Sequence, residues 1–138
     1  MIVHKFPKDI KYIMDASAVV AVANQEPHFP ELQTMFIDSI ITTINLAEAL
    51  TVIIRKYEID PDTVWNELSN FVQNHYPIND ELTYEVVKMT PYAKPYGLSL
   101  GDRYCLALAK HLRLPVYTAD KIWKNLEEPL GIIVNLIS

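Results

Sequence analysis

Short apolar runs alternate along this chain with stretches whose apolar positions recur every three or four residues. Lys11-Tyr12-Ile13-Met14 reads as a strand ending at Asp15, and Ser17 to about Glu26 as a helix stopped by Pro27. Pro30 to Asp38 predicts a second helix, with Leu32, Met35 and Phe36 facing inward. The β-branched run Ile40-Ile41-Thr42-Thr43 predicts a strand. Asn45 to Tyr57 predicts a helix apolar on nearly all sides and therefore mostly buried. Asp60-Pro61 starts a helix carrying Val64, Trp65, Leu68, Phe71 and Val72 at helical spacing.

The second half repeats the alternation. His75-Tyr76-Pro77-Ile78 suits a short edge strand, where proline is tolerated. Asp80 is placed to cap a helix bearing Leu82, Val86 and Met89, and Pro91 and Pro95 bracket a turn or one helical turn. A helix over Gly101 to Leu112, a strand Val116-Tyr117-Thr118, a short helix from Lys121 to Leu126 and a terminal strand over Ile132 to Leu136 complete the reading. Strands alternating with helices predict an α/β fold around a mainly parallel sheet flanked by helices. Ligands in such sheets bind beyond the carboxyl ends of the strands.

That geometry draws attention to the acids. Asp15 and Asp120 each follow a strand and precede a helix, so each suits either an N-cap or a site at the strand ends. On a helical wheel Asp102 shares a stripe with Cys105, Leu106 and Ala109, within about 60° at 100° per residue. It therefore points along the core-facing side, although Ser99 can cap this helix. Glu48 lies beside Ile44 and Val52, with Asn45 one turn earlier and Arg55 two turns later, so a Glu48–Arg55 pair competes with a functional role. Clustered carboxylates raise one another's pKa, and a divalent cation relieves that conflict. Mg²⁺ and Mn²⁺ favour oxygen ligands, and two such ions about 4 Å apart can stabilise both the attacking and the leaving oxygen of a phosphodiester displacement.

The chain resembles PIN-domain proteins, and more narrowly the VapC toxins of type II toxin–antitoxin pairs. The residues that carry the likeness are Met14-Asp15-Ala16-Ser17, Thr43-Ile44-Asn45-Leu46-Ala47-Glu48, Gly97-Leu98-Ser99-Leu100-Gly101-Asp102-Arg103, and Leu114-Pro115-Val116-Tyr117-Thr118-Ala119-Asp120. The likeness runs from about residue 11 to the C-terminus. It implies a metal-dependent endoribonuclease in which Asp15, Glu48, Asp102 and Asp120 bind Mg²⁺ or Mn²⁺ and activate water. It further implies that Ser17, Asn45 and Thr118 support or extend the pocket. A homodimer and a cognate antitoxin, its C-terminal segment lying along the active-site groove, are implied partners. The stretch before Lys11 is longer than the family pattern.

Composition narrows the field. The chain has 138 residues, 50% of them hydrophobic and 21% charged, which suits one globular domain over 1–138, with 1–10 as an N-terminal extension. No apolar run suits a membrane span or a secretory signal, so a cytoplasmic location is expected. The net charge of −5 opposes broad electrostatic binding of RNA, an objection that cations in an acidic pocket weaken. Three glycines leave no phosphate-cradling Gly-rich loop. His4, His28, His75 and His111 lack zinc-ligand spacing, and the single cysteine, Cys105, reads as an inert buried thiol. Ser17 has no nearby histidine base, which disfavours a serine hydrolase. Arg103 and Lys121, each following a candidate acid, are candidates for holding substrate phosphate or are solvated surface charges. Competing readings are an RNA-processing nuclease outside any toxin pair, and an inactive module that binds a partner. A phosphoacceptor receiver domain needs an acidic pair after the first strand, where this chain has Ala16 and Ser17.

Overall fold

The computed structural model describes residues 9–25 and 34–137. Its strands are β1 (Tyr12–Met14), β2 (Ser39–Thr42), β3 (Asn74–Tyr76), β4 (Val116–Thr118) and β5 (Val134–Leu136). They form one sheet in the order β3-β2-β1-β4-β5, with every neighbouring pair parallel. The helices are α1 (Ala16–Ala23), α2 (Thr43–Tyr57), α3 (Pro61–Leu68), α4 (Asp80–Lys88), α5 (Thr90–Ala93), α6 (Leu100–Leu112) and α7 (Glu127–Leu130). Tighter 3₁₀ segments cover Phe36–Asp38 and Lys121–Leu126. No helix among the described residues is long and apolar enough to cross a membrane.

The period-2 pattern of the strands produces two cores, one on each face of the sheet. Ile13, Ile40, Val116 and Val134 point to one face and pack under α4 and α6. Met14, Ile41 and Tyr117 point to the other, against Val19 and Val22 of α1 and Leu46, Leu50 and Ile53 of α2. Strands covered on both faces need continuous rather than alternating apolar residues, which Ile13-Met14 and Ile40-Ile41 supply. The chain leaves central β1 for β2 on one side and later returns for β4 on the other. That reversal opens a crevice at the carboxyl ends of β1 and β4.

Several boundaries differ from the sequence reading. Helix α1 ends at Ala23, short of Pro27, because Asn24 closes it and Gln25 turns left-handed at φ 52°. Strand β2 ends at Thr42, whose hydroxyl caps α2 by accepting the Asn45 N–H at 2.9 Å. Helix α3 stops at Leu68, although Phe71 and Val72 still enter the core. Asn79, not Asp80, caps α4. Of the proposed helix over 30–38, residues 30–33 lie outside the described residues, while Thr34 and Met35 are helical ahead of the 3₁₀ turn. Residues 1–8 of the N-terminal extension lie outside as well.

Helix α2 corrects the largest misreading. It is not buried all round: Asn45, Leu46, Ala49, Leu50 and Ile53 are buried, whereas Ala47, Glu48, Thr51, Val52 and Arg55 face outward. Trp65 of α3, 55% exposed, borders the same open face. Apolar composition alone does not say which side of a helix another element covers.

Candidate active site

Each candidate acid owes its place to a local structural rule. Asp15 is the first residue after β1 and the N-cap position of α1, but its side chain makes no capping bond. Instead its Oδ2 accepts the hydroxyls of Thr118 at 2.9 Å and Ser17 at 3.0 Å. Asp15 is only 7% exposed. Burial pushes its carboxyl up to about 6; the Thr118 and Ser17 hydroxyls and the Ala16 backbone pull against that rise, and the charge of Asp102 adds to it.

Thr118 and Ser17 tie β1 to β4. The Thr118 hydroxyl donates to Asp15 and accepts the Asp120 N–H at 3.1 Å, and Ser17 Oγ accepts the Ala119 N–H at 2.9 Å. The Asp120 backbone is therefore one hydroxyl away from Asp15. Its side chain caps the following 3₁₀ segment, accepting the Ile122 N–H at 3.0 Å.

Asp102 has a double duty. It forms a capping box with Ser99: the Ser99 N–H donates to Asp102 Oδ2 at 2.9 Å and the Asp102 N–H donates to Ser99 Oγ at 3.1 Å. The cap reading and the core-stripe reading thus hold together, since one oxygen serves the cap while the residue stays half-buried above Cys105 and Leu106.

Glu48 turns toward the start of α6 rather than closing onto Arg55. Asn45 Nδ2 donates to Glu48 Oε1 at 2.8 Å and to the Gly101 carbonyl at 3.0 Å. Asn45 is fully buried, and Thr42 Oγ1 donates to its Oδ1. Thr42 was not singled out from the sequence, yet it fixes the amide that holds Glu48. Its signal was a β-branched hydroxyl three residues before Asn45, the spacing of a helix cap.

Three acids lie within electrostatic reach of the Cys105 sulfur. Burial pushes this thiol well up, and Asp15, Asp102 and Glu48 each push it further. All three carboxylates therefore act on one buried point beneath the crevice. Among the described residues, however, no three His, Cys, Asp or Glu side chains stand close enough to hold an ion by themselves. The donor set is hard carboxylate oxygen throughout, unlike the sulfur and nitrogen sites of zinc. Mg²⁺ needs only one or two carboxylates with water and phosphate oxygens completing its shell, so these residues fit such an ion and not an all-protein cage.

The candidate cations differ in freedom. Arg103 Nε donates to the Ser99 carbonyl at 3.3 Å, anchoring its stem beside Asp102. Lys121 is exposed next to Asp120. Beyond Glu48, a groove lined by Ile44, Ala47, Thr51, Val52 and Arg55 runs along the open face of α2.

The family model described as PIN domain matches residues 12–129. No curated protein sequence matches the chain. Solved structures do. VapC20 of Mycobacterium tuberculosis, a sarcin–ricin loop cleaving toxin, is 10% identical with a TM-score of 0.68, covering 89% of this chain and 97% of its own. VapBC2 of Rickettsia felis, bound to a fragment of its promoter DNA, is 15% identical with a TM-score of 0.66, covering 91% and 97%. FitAcB of Neisseria gonorrhoeae is 18% identical with a TM-score of 0.59, covering 89% and 95%. At these identities the likeness is one of fold.

Proposed function

Because the chain belongs to the PIN-domain family, we propose that it is a Mg²⁺- or Mn²⁺-dependent endoribonuclease, the toxin of a VapBC-type pair held by a cognate antitoxin. The observation that carries this reading is Asp15. A carboxylate buried at the carboxyl end of the central strand, oriented by two hydroxyls and crowded by a second acid, is an expensive arrangement for a fold and a useful one for binding a cation. Asp15, Asp102, Glu48 and Asp120 are the proposed ligands, with Ser17, Thr118 and Asn45 setting their orientation.

A bound divalent ion would lower the pKa of water and stabilise charge on the phosphate undergoing attack. The chain's own residues supply the rest. Thr118 and Ser17 hold one Asp15 oxygen, which fixes the plane of that carboxylate. The capping box engages Asp102 Oδ2, which makes Oδ1 the proposed ligand atom. Asn45 keeps Glu48 from swinging along α2 toward Arg55. Arg103 and Lys121 are the proposed contacts to substrate phosphate, local exceptions on a chain whose net charge of −5 repels RNA.

The open apolar face of α2 and Trp65 supports a protein partner beside the site, as expected for an antitoxin segment. A homodimer and a cytoplasmic setting belong to the same proposal. Asp15→Asn and Asp102→Asn should each abolish Mg²⁺-dependent RNA cleavage with the fold intact by circular dichroism. Full cleavage in both variants would sink the assignment. The absence of a ready-made group of three ligands among the described residues favours one rival, an inactive module that only binds its partner. Calorimetry separates them: Mn²⁺ binding is expected from the nuclease, and none from the module.

A further inference from the structure

We propose that Gly101 is a positioning residue for Glu48: the missing side chain lets the glutamate carboxylate lie against the first turn of α6. This inference rests on the metal-nuclease reading above. The chain has three glycines, and they fall into two kinds. Gly97 and Gly131 have φ of +63° and +66° and open space where a Cβ would stand, so they are there for backbone conformation. Gly101 is the reverse. It lies inside a helix with no positive φ, where alanine is favoured over glycine. What it offers is room. A Cβ at position 101 would stand 2.5 Å from Glu48 Cδ, with both carboxylate oxygens closer still.

Two further contacts turn that room into a seat. Asn45 Nδ2 bridges Glu48 Oε1 and the Gly101 carbonyl, so a single buried amide holds the carboxylate against the glycine from the side. Thr42 fixes that amide in turn. An ordinary carbon contact begins near 3.4 Å, so a methyl group would drive Glu48 Cδ back by about 1 Å. Metal–ligand distances tolerate only about 0.2 Å. Glu48 is the end of a flexible, exposed side chain, so the fold absorbs the methyl and the carboxylate moves. The expected loss is in the site rather than in the helix.

Gly101→Ala, Glu48→Ala and the double variant test this in the full chain. In EDTA, Gly101→Ala should keep the circular dichroism of the parent and a Tm within a few degrees. Its Mn²⁺ affinity by calorimetry should fall about 10- to 100-fold, as for other residues that orient ligands. The RNA-cleavage defect should appear in kcat more than in KM. Added to Glu48→Ala, the same substitution should change Mn²⁺ affinity less than twofold and raise Tm, because the helix then gains an alanine without the Glu48 carboxylate in its way. Wild-type Mn²⁺ affinity in Gly101→Ala, with wild-type protein binding Mn²⁺ and cleaving RNA, overturns the positioning role and leaves the nuclease reading standing. An equal loss of affinity in both backgrounds also overturns it. Wild-type protein that neither binds Mn²⁺ nor cleaves overturns both. Should Gly101→Ala fail to fold, a double variant that folds supports the contact, and one that stays unfolded overturns it.

Discussion

Hydroxyls and a backbone N–H oppose the cost of burying Asp15, and that cost can be measured. Its carboxyl rises from 3.8 to about 6 in the folded protein. Between those values the native state binds more protons than the unfolded state, so without metal stability falls as pH rises from about 4 to 6. That rise corresponds to at most about 3 kcal/mol of destabilisation at pH 7. Asp15→Asn removes the charge and keeps an acceptor for Thr118 and Ser17. Its metal-free Tm is expected to exceed that of the parent at pH 7, with the gain vanishing near pH 4. A variant less stable than the parent at pH 7 would contradict the desolvation account. Asn45 carries the opposite expectation. Asn45→Ala leaves Glu48, the Gly101 carbonyl and Thr42 without their shared partner, and should cost about 1–3 kcal/mol by chemical denaturation.

At the scale of elements, caps decide where the acids stand. Ser99 starts α6, and Ser99→Ala should cost about 1 kcal/mol in thermal unfolding while loosening Asp102. The strand and helix sequence was legible because period 2 and period 3.6 are local properties. The placement of Asp15, Asp102 and Asp120 at strand and helix ends was legible for the same reason. What escaped was of two sorts. Caps are the weak point of the local pattern: Thr42 belongs to its strand as expected but also caps α2, and Asn79 rather than Asp80 caps α4, because a favoured residue type does not reveal which neighbour's N–H it meets. Packing partners were invisible. The open side of α2 depends on where other elements pack, and the approach of Glu48 to Gly101 depends on Asn45 reaching a carbonyl 56 positions away. Val52→Ser together with Trp65→Ser should lower Tm only slightly, since the two side chains are 45% and 55% exposed. The same pair should weaken antitoxin binding at least 10-fold by titration if this face is the docking surface.

For the whole molecule, metal and stability are linked. An ion that binds only the folded chain stabilises it by about 2.7 kcal/mol at 100 times its Kd. Mn²⁺ should therefore raise Tm and EDTA reverse the rise, and both effects should disappear in Asp15→Asn. The sheet order makes the two halves of the chain interdependent in a further way. Central β1 pairs with β2 nearby and with β4 far along the chain, and Asp15 receives the Thr118 hydroxyl from 103 residues downstream. On a ribosome adding roughly 5–20 residues each second, those 103 residues take roughly 5–20 s. Throughout that interval the growing chain carries its first acids without the strand that orients them. A candidate site divided between β1 and β4 is incomplete until Thr118 has been made. It comes together only when β4 docks beside β1, which on the proposed reading gives a protein partner time to be waiting.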